Sequence, residues 1–336
     1  MPIKLAILGL DTIQRDWLDA VAQLRDAGEI ELVGVGHRTA ALARDVADAV
    51  HAPAFDELKR LLREGSPQVI LIDRPANVPL EFITLCIEQD VGLLSLGPIV
   101  NNYGEAQALA EMLEPRTHLL YTWPQFADSF AWKQCAQADE YLRPIKFASM
   151  SWLGLNHALA KTSGRTESIV RSLSVLAWDA ITTLVRLMDA PTSVYASIRG
   201  TVATGDAFTD ISGSASLTLR FPDDVTASVT LSDRVETHRE LLVLGQTGSL
   251  RLDGNRYSFC DADGKVIEEG SSSRETGVDQ ALGTLRRFIE QYQSQPSPHR
   301  GWEHRLEVIA SVMEAMVVSH RTGSAENPEK FRDLRR

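Results

Sequence analysis

Hydrophobic residues in the first third of the chain follow two kinds of pattern. Short runs rich in leucine and β-branched residues predict buried strands, whereas apolar residues at i, i+3, i+4 and i+7 predict helices that cover a sheet. The predicted strands lie in IKLAILGL, IELVGVG, QVILIDRP, VGLLSL and HLLYTW. The predicted helices are QRDWLDAVAQLRDAG, AALARDVADAV, FDELKRLLREG, PLEFITLCIEQ and GEAQALAEML. This repeated order predicts an α/β domain with a parallel, doubly wound sheet, in which ligands bind beyond the carboxyl ends of strands.

Polar and apolar residues alternate after about residue 145. A period of two predicts strands with one face towards a core and the other towards water. These strands lie in KFASMSW, TSVYASIRG, SGSASLTLRF, VTASVTLS, ELLVLGQTGSLRLD and RYSFCDADGKVIEEG. Helical spacing predicts one helix within residues 166–189 and two around 277–292 and 301–321. We therefore predict two domains, residues 1–122 and residues 123–336, the second an α+β domain with an open, mostly antiparallel sheet.

Composition narrows the class of protein. The 336 residues carry 34 Lys and Arg against 45 Asp and Glu, a formal net charge of -11. There is no basic block to neutralise a row of phosphates, so we expect no direct contact with nucleic acid. No stretch reaches the roughly 20 apolar residues that span a bilayer, and no signal-peptide pattern is present. We expect a cytoplasmic protein that binds no membrane, with reduced thiols and no metal site, because no His, Cys or carboxylate cluster has ligand spacing.

Two stretches carry a resemblance to a known family. LGQTGSLRLDG is similar to a Gly-Thr-x-Gly-Ser-Leu stretch, and RPANVPLEFITLCIEQDVGLLSLGPI follows the pattern of a third crossover. In these residues and in its two-domain organisation, nearly the whole chain resembles the Gfo/Idh/MocA family of NAD(P)-dependent sugar and polyol dehydrogenases. The resemblance implies a Rossmann-like first domain that binds NADP or NAD, and a sugar-like ligand. It also implies a homo-oligomer, a dimer or tetramer, formed through the C-terminal sheet.

The turn after the first strand departs from the family pattern. GLDTIQ places Gly9, Asp11 and Gln14 where the family has three glycines. In that pattern the second glycine lets the backbone approach a pyrophosphate, and the third packs the helix closely on the strand. Asp11 and Gln14 also have the spacing of a capping box, in which each side chain bonds the backbone amide of the other. We favour the cap, because the helix then satisfies its own donors; a bound dinucleotide requires Asp11 to turn away.

Other cofactor positions are implied by register within the resemblance. His37 and Arg38 follow the second strand, where a basic pair suits the 2'-phosphate of NADP better than the bare ribose of NAD. Surface solvation of Arg38 is the alternative. Asp73 and Pro75 end the third predicted strand, close to the nicotinamide in the family, although an Asp-Arg neighbour pair is also typical of a solvated turn. Pro98 keeps the turn that in the family follows the catalytic lysine.

Acid–base residues of the family are replaced at two positions. At the register of its Glu-Lys-Pro motif the chain reads Leu-Gly-Pro, and Gly97 has no side chain to transfer a proton. The family also carries a helix with the pattern Asp-x-Gly-x-His-x-x-Asp. Alignment places Asp179 at the histidine, Val175 at the first aspartate and Thr182 at the last.

Three titratable residues are candidates for the missing acid–base role. Asp179 is the first, and Trp178 beside it is a candidate for stacking on a sugar. The interpretation we favour for Asp179 is a helix residue that faces solvent or pairs with Arg186. Lys161 and His157, in LNHALAKTSGR, are the other two candidates.

Two main classes of function follow. One is a divergent NAD(P)-dependent oxidoreductase acting on a sugar or cyclitol. The other is a non-catalytic relative that senses a ligand or forms a complex and has lost cofactor binding, for which a sugar-responsive co-repressor of the family is a precedent by analogy. A redox-neutral lyase or isomerase is a third class without a specific signal. Three separated departures at cofactor and substrate positions point away from standard hydride transfer.

Overall fold

Two compact units make up the computed structural model. It describes residues 2–9, 15–37, 40–73, 78–114, 116–123, 132, 142–154, 173–202, 207–209, 211–235, 238–271, 277–294 and 305–333. The first unit consists of Met1–Val100, Glu105–Trp123 and Glu275–Leu306, and the second of Asn101–Gly104, Pro124–Arg274 and Glu307–Arg336. This division differs from a single boundary after residue 122, mainly because the chain returns to the first unit after residue 274.

A parallel sheet forms the centre of the first unit. Its strands are β1 (Ile3–Leu8), β2 (Ile30–Gly36), β3 (Ala54–Phe55), β4 (Val69–Ile72), β5 (Gly92–Ser95) and β6 (Leu120–Thr122). Their order is β3-β2-β1-β4-β5-β6, and each neighbouring pair is parallel. All residues of β4 and β5 are buried, as expected for strands covered by helices on both faces. The predicted doubly wound sheet is confirmed, with the short β3 as an additional strand.

Most helices of the first unit begin and end close to their predicted positions. They are α1 (Arg15–Asp26), α2 (Ala40–Val50), α4 (Leu80–Glu88) and α5 (Tyr103–Leu113). The stretch 55–65, predicted as one helix, instead forms a short turn, α3 (Leu58–Arg60), followed by a π-helix, Leu61–Gly65. Leu61 packs so closely on β2 that a Cβ added to Gly34 would lie 2.6 Å from its Cδ1 atom. This close approach accompanies the departure from a regular α-helix.

The helix α7 (Gly277–Gln293) follows the second sheet in sequence but packs in the first unit. Its apolar face joins one core with α1 and the parallel sheet. The residues that it contributes to this core are Ala281, Leu285, Phe288 and Ile289. The predicted helix 277–292 is confirmed, and its sequence position after the second sheet does not indicate which unit it completes.

Two contacts fix α7 on the first unit. A Cβ added to Gly92 of β5 would lie 2.8 Å from Tyr292, so the glycine leaves the space that this aromatic ring fills. At the surface, Arg286 donates two hydrogen bonds to Glu29, at 3.0 and 2.6 Å. These bonds lower the pKa of the Glu29 carboxyl.

An eight-stranded sheet forms the centre of the second unit. Its strands are β7 (Ile145–Leu153), β8 (Ser193–Thr201), β9 (Ser212–Arg220), β10 (Thr226–Ser232), β11 (His238–Gly245), β12 (Gly248–Asp253), β13 (Arg256–Asp261) and β14 (Val266–Ser271). The order is β14-β13-β12-β11-β7-β10-β9-β8. Only β7 and β10 pair in parallel, and the other neighbours are antiparallel. The predicted open, mostly antiparallel sheet is confirmed.

Three described helices accompany this sheet: α6 (Leu173–Met188), α8 (Leu306–Thr322) and α9 (Glu329–Asp333). α6 packs against β7, β9 and β10. It is buried on nearly all sides over residues 173–185. A helix buried in this way lies inside a unit rather than on its surface, and α6 carries the candidate residue Asp179.

The C-terminal chain covers one edge of the second sheet. The Ala196 amide of β8 donates to Ser319 Oγ at 2.9 Å, and the Ile198 amide donates to His320 Nδ1 at 3.3 Å. Val194 and Glu326 exchange two backbone hydrogen bonds, each 2.8 Å long. These bonds satisfy polar groups that an edge strand otherwise presents to other chains.

Candidate functional site

The carboxyl ends of β1, β2, β4, β5 and β6 lie in one row of the first unit. The backbone ladder continues one residue beyond these ends, with the bonds Gly9 N–H to Gly36 O (3.0 Å), Asp73 N–H to Leu8 O (3.0 Å), Leu96 N–H to Ile72 O (2.8 Å) and Trp123 N–H to Ser95 O (2.7 Å). The strand order reverses between β1 and β4. Gly9 and Asp73 therefore stand on either side of the point at which open α/β sheets bind ligands.

Gly9 has a φ of 69°, in the left-handed region. Glycine adopts this conformation without the steric cost that a Cβ brings. The residue kept from the glycine-rich pattern is thus the one that the turn after β1 requires. Asp11 and Gln14 lie outside the described residues, so the choice between a helix cap and a phosphate site stays a prediction.

His37 and Asp73 end two strands that flank β1. The His37 amide donates to Phe55 O at 3.2 Å, which places the residue at the carboxyl end of β2 as expected. Asp73 is buried, with 9% of its surface exposed, so it is not part of a solvated turn. Arg38 and Pro75 lie outside the described residues.

The loop at the position that aligns with the family lysine is buried. Leu96, Gly97 and Pro98 are all buried, and Ser95 Oγ–H donates to the Gly97 carbonyl at 2.8 Å. This bond holds the loop after β5 through its backbone. The loop keeps a defined shape while no side chain in it can transfer a proton.

Asp179 is buried in the second unit, with 6% of its surface exposed. Its Oδ2 accepts a 2.7 Å hydrogen bond from the indole Nε1–H of Trp152 on β7. The Thr183 hydroxyl donates to the Asp179 carbonyl at 2.8 Å. The expectation that Asp179 faces solvent is therefore wrong, because α6 and β7 enclose the carboxyl group. This hydrogen bond fixes the orientation of the carboxyl group.

Sequence reasoning missed Trp152 and Arg239. Arg239 on β11 lies opposite Trp152 in the ladder, and its guanidinium carbon is 5.8 Å from the centre of the indole. This distance allows a cation–π interaction. The alternation in KFASMSW places Trp152 on the buried face, and a buried indole N–H needs an acceptor. Those two signals together point to Asp179, an acid within the helix that covers this face.

Trp178 does not present a free aromatic face. It is 2% exposed, and its ring stacks on Phe208 with centroids 6.1 Å apart and an interplanar angle of 26°. The suggested stacking of Trp178 on a sugar is therefore wrong. Lys161 and His157 lie outside the described residues.

Other chemistry is sparse in the described part of the chain. Its residues include no group of three His, Cys, Asp or Glu side chains that could hold a metal ion. None of the helices described there is long and apolar enough to cross a membrane. Burial raises the pKa of the Cys86 thiol to about 12, so this thiol stays protonated and unreactive.

A dinucleotide is thus compatible with the first unit. The left-handed Gly9, the aligned strand ends and the reversal of strand order form the backbone geometry that such a cofactor uses. Residues 3–122 match the model of a family described as an oxidoreductase family with an NAD-binding Rossmann fold. This part of the chain belongs to the Gfo/Idh/MocA family. The resemblance found in the sequence is confirmed.

Solved structures share the fold over nearly the whole chain. GenD2 from gentamicin A biosynthesis, in complex with NAD, has a TM-score of 0.74 and 16% identity and covers 97% of this chain and 96% of its own. An oxidoreductase from Thermotoga maritima has a TM-score of 0.76 and 18% identity, covering 98% and 100%. Levoglucosan dehydrogenase, in complex with NADH and L-sorbose, has a TM-score of 0.77 and 13% identity, covering 97% and 99%. Curated protein sequences give no significant match.

Proposed function

We propose that this Gfo/Idh/MocA protein is an NAD(P)-dependent oxidoreductase that acts on a hydroxyl group of a sugar-like substrate. The observation that carries the proposal is the left-handed Gly9 at the β1 end, beside the reversal of strand order. This geometry offers backbone groups to a dinucleotide, and binding requires Asp11 to turn away from the pyrophosphate. Structures with the same fold in complex with NAD or NADH support it.

The first unit would hold the dinucleotide at its carboxyl edge. Gly9 would make the tight turn that leads into the pyrophosphate loop, and Asp73 and Pro98 would border the nicotinamide. His37 and Arg38 would face the ribose and favour the 2'-phosphate of NADP. A bound dinucleotide would supply, through its nicotinamide, an acceptor for the hydride of the substrate carbon.

The proton of the reacting hydroxyl needs an acceptor in the protein. Gly97 offers none, whereas Asp179 has a carboxylate whose Oδ2 is held by Trp152. In this proposal Asp179 takes the hydroxyl proton as the carbon–oxygen double bond forms. General-base catalysis contributes about 10²–10⁴-fold to a rate, so loss of this residue has a large kinetic effect.

A second candidate is a non-catalytic protein that binds a ligand without turnover. The specific observation in its favour is that both positions aligned with the family's acid–base residues are buried. The loop at Gly97 is buried, and Asp179 is 6% exposed and bonded to Trp152. In this case the second unit keeps Asp179 as part of its core.

The first experiment measures binding of NADH and NADPH by tryptophan fluorescence and, independently, by calorimetry. We expect saturable binding with higher affinity for NADPH. Gly9→Ala should weaken binding about 5- to 30-fold, because alanine at a left-handed φ costs about 1–2 kcal/mol and moves the turn out of the conformation that binds the nucleotide. The matched control is Gly264→Ala, at a φ of 80° in a turn of the second unit, where an added Cβ would meet no atom of the described residues within 4 Å. Absence of binding to either nucleotide would refute the oxidoreductase proposal.

A second experiment separates catalysis from binding. Sugars and cyclitols are screened for reduction of NADP or NAD, followed by absorbance of the reduced nicotinamide. Asp179→Asn should retain nucleotide binding and lose turnover. Nucleotide binding without turnover on any tested polyol would favour the non-catalytic candidate.

We further expect a homo-oligomer, a dimer or tetramer, that forms through the C-terminal sheet. The support is the resemblance to the family, in which the outer face of this sheet pairs subunits. Sedimentation analysis tests this expectation. A monomer at all concentrations would contradict it.

A further inference from the structure

Arg239 is a charged residue on the core-facing side of β11. The residues at the next two alternate positions, Leu241 and Val243, are fully buried. Because side chains alternate between the two faces of a strand, Arg239 lies on the same face as these two residues, and it is itself partly buried. Arginine is among the residues that are mostly exposed, so its place on a core-facing side points to an interaction there.

The ladder between β11 and β7 shows where this charge enters the core-facing side. The two pairs farther along the same side are apolar, namely Leu241 with Met150 and Val243 with Ala148. The pair that follows them is Arg239 with Trp152. An apolar side chain at residue 239 would continue the stripe. The sequence instead places an arginine opposite the indole that donates to Asp179.

The Trp152 ring makes contacts in two directions. The residue is fully buried, and the guanidinium carbon of Arg239 lies over the ring face, 5.8 Å from its centre. At the ring edge, Nε1–H donates to Asp179 Oδ2 at 2.7 Å. A cation over an aromatic face is attracted by the π electrons, and the attraction is larger where water is excluded. One contact therefore fixes the edge of the indole, and the other restrains its face.

These two contacts strengthen each other. The positive charge of the guanidinium polarises the indole and makes its N–H a better donor, as linked polar contacts do in a protein interior. The planar guanidinium also stacks on aromatic faces and so resists rotation of the ring. Rotation about the side-chain bonds of Trp152 would move Nε1 away from the Asp179 carboxyl. Arg239 thus stabilises the bond to Asp179 through the ring.

Another acid at this end of the sheet is held by a different strand. Asp233 follows β10 and is 1% exposed. Its Oδ1 accepts a hydrogen bond from the Gly213 amide at 2.9 Å, and its own amide donates to the Gly213 carbonyl at 3.0 Å. Burial raises the pKa of this carboxyl. These bonds connect β10 to β9 and do not pass through Trp152, so substitutions at Arg239 leave them in place.

We propose that Arg239 is a positioning residue for Asp179 and that it acts through the Trp152 ring. Its cation over the ring face holds the indole edge at the carboxyl group, so the direction and strength of the 2.7 Å bond depend on residue 239. The catalytic meaning of this arrangement rests on the proposed function, in which Asp179 accepts the substrate proton. The structural part is independent of turnover.

Exchange of indole N–H protons with deuterium tests the proposal in the full chain. Arg239→Met keeps a long side chain but removes the charge. We expect the Trp152 proton to exchange about tenfold faster in this variant, relative to the buried Trp178 indole, which reports general loosening of the second unit. Trp152→Phe and Trp178→Phe assign the two resonances. The matched control is Arg251→Met on β12, which removes an exposed arginine that pairs with Glu240 at 2.8 Å and should leave the ratio unchanged.

A purely local structural role of Arg239 predicts a different result. In that case Arg239→Met speeds exchange of the Trp152 and Trp178 protons by the same factor. An unchanged ratio of the two rates therefore overturns the proposal.

A double-mutant cycle shows whether the effect passes through the ring. Urea midpoints of Arg239→Met, Asp179→Ala and the double variant are measured in the wild-type chain and again in Trp152→Phe, which keeps an aromatic face but lacks the N–H. We expect the two substitutions to be non-additive in the wild type and additive in Trp152→Phe. Additivity in both backgrounds overturns the proposal, and so does non-additivity that persists in Trp152→Phe. Where Trp152→Phe does not fold, the exchange ratio decides, with the resonance assigned by its shift in Asp179→Ala.

Kinetics separate this inference from the proposed function. Once a substrate is found, Arg239→Met should lower kcat with little change in KM or in nucleotide binding, and Arg251→Met should change neither constant. Failure of the protein to bind or turn over a dinucleotide refutes the proposed function but leaves the exchange and cycle measurements intact. A kcat that Arg239→Met does not change refutes the positioning role while the oxidoreductase proposal stands.

Discussion

The two candidate sites of this protein are built from different kinds of atoms. At the carboxyl edge of the first unit the geometry lies in the backbone, in the left-handed Gly9 and the hydrogen bonds that extend each strand by one residue. In the second unit it lies in side chains, with the Trp152 indole bonded to the Asp179 carboxyl. A site made of backbone groups tolerates most substitutions. In a site made of side chains, each substitution can remove or replace one functional group.

This difference bears on the two positions at which the sequence departs from the pattern it resembles. Gly97, aligned with the lysine of that pattern, lies in a buried loop after β5 that is held through its backbone. Asp179, aligned with the histidine, is buried and accepts a hydrogen bond from an indole donor. The proposed cofactor edge and the proposed acid–base residue therefore rest on separate observations.

The largest expected effect tests whether the two units are separate in stability. Phe288→Ala removes a buried ring of α7 and should destabilise the first unit by about 3–5 kcal/mol. Hydrogen exchange should increase in β1 and β4 and stay unchanged in β7 and β10. Phe259→Ala, a buried ring of the second sheet, is the matched control and should give the opposite pattern. Equal loosening of both units by Phe288→Ala would show that they unfold together.

An intermediate effect is expected from the side-chain site. Trp152→Phe keeps a ring but removes the donor to the buried Asp179, which should cost about 1–3 kcal/mol in the free energy of unfolding. Tyr257→Phe serves as control, because it removes a hydroxyl bond to the exposed Glu268 and should cost less than about 1 kcal/mol. Urea unfolding measures both. Equal costs would mean that the Asp179 carboxylate does not depend on Trp152.

The smallest effect appears as a dependence on pH. The pKa of Asp233 is raised in the folded state, so its contribution to stability is present below the ordinary aspartate pKa and is lost as the pH rises through the raised value. Asp233→Asn stays neutral and avoids this loss. The variant should therefore gain stability relative to the wild type as the pH rises above the ordinary aspartate pKa of about 3.9. Urea unfolding at about pH 4 and about pH 7 measures this gain, with Asp253→Asn as the exposed control; a pH-independent difference would contradict it.

The fold could be predicted from the sequence where the periodicity is strong. The run VILI of β4 and the spacing of α2 give the correct elements because burial on two faces or on one stripe leaves a direct pattern in the residues. The placement of α7 could not be predicted from the sequence. Its apolar stripe shows that the helix covers a hydrophobic surface, but it does not indicate which surface. Its packing on Gly92 depends on a space that only the folded sheet creates.

The candidate sites were predictable to different degrees. Gly9 was predictable because a glycine after a buried strand signals a special backbone angle. The burial of Asp179 was missed because an aspartate usually faces solvent, although the residues around it on α6 are almost all buried. Asp233 was missed because it matches no motif and is buried only when the folded sheet brings Gly213 of β9 beside it.

The position of α7 also bears on how the chain folds during synthesis. Domains commonly fold in order from the N-terminus as the chain leaves the ribosome. Here the parallel sheet emerges first, yet part of its core, including Leu285 and Phe288, emerges only after the entire second sheet. The nascent first unit must wait with an apolar face uncovered, and a fragment that ends at residue 122 would keep that face exposed. The unit that begins folding first is therefore not the first to be completed.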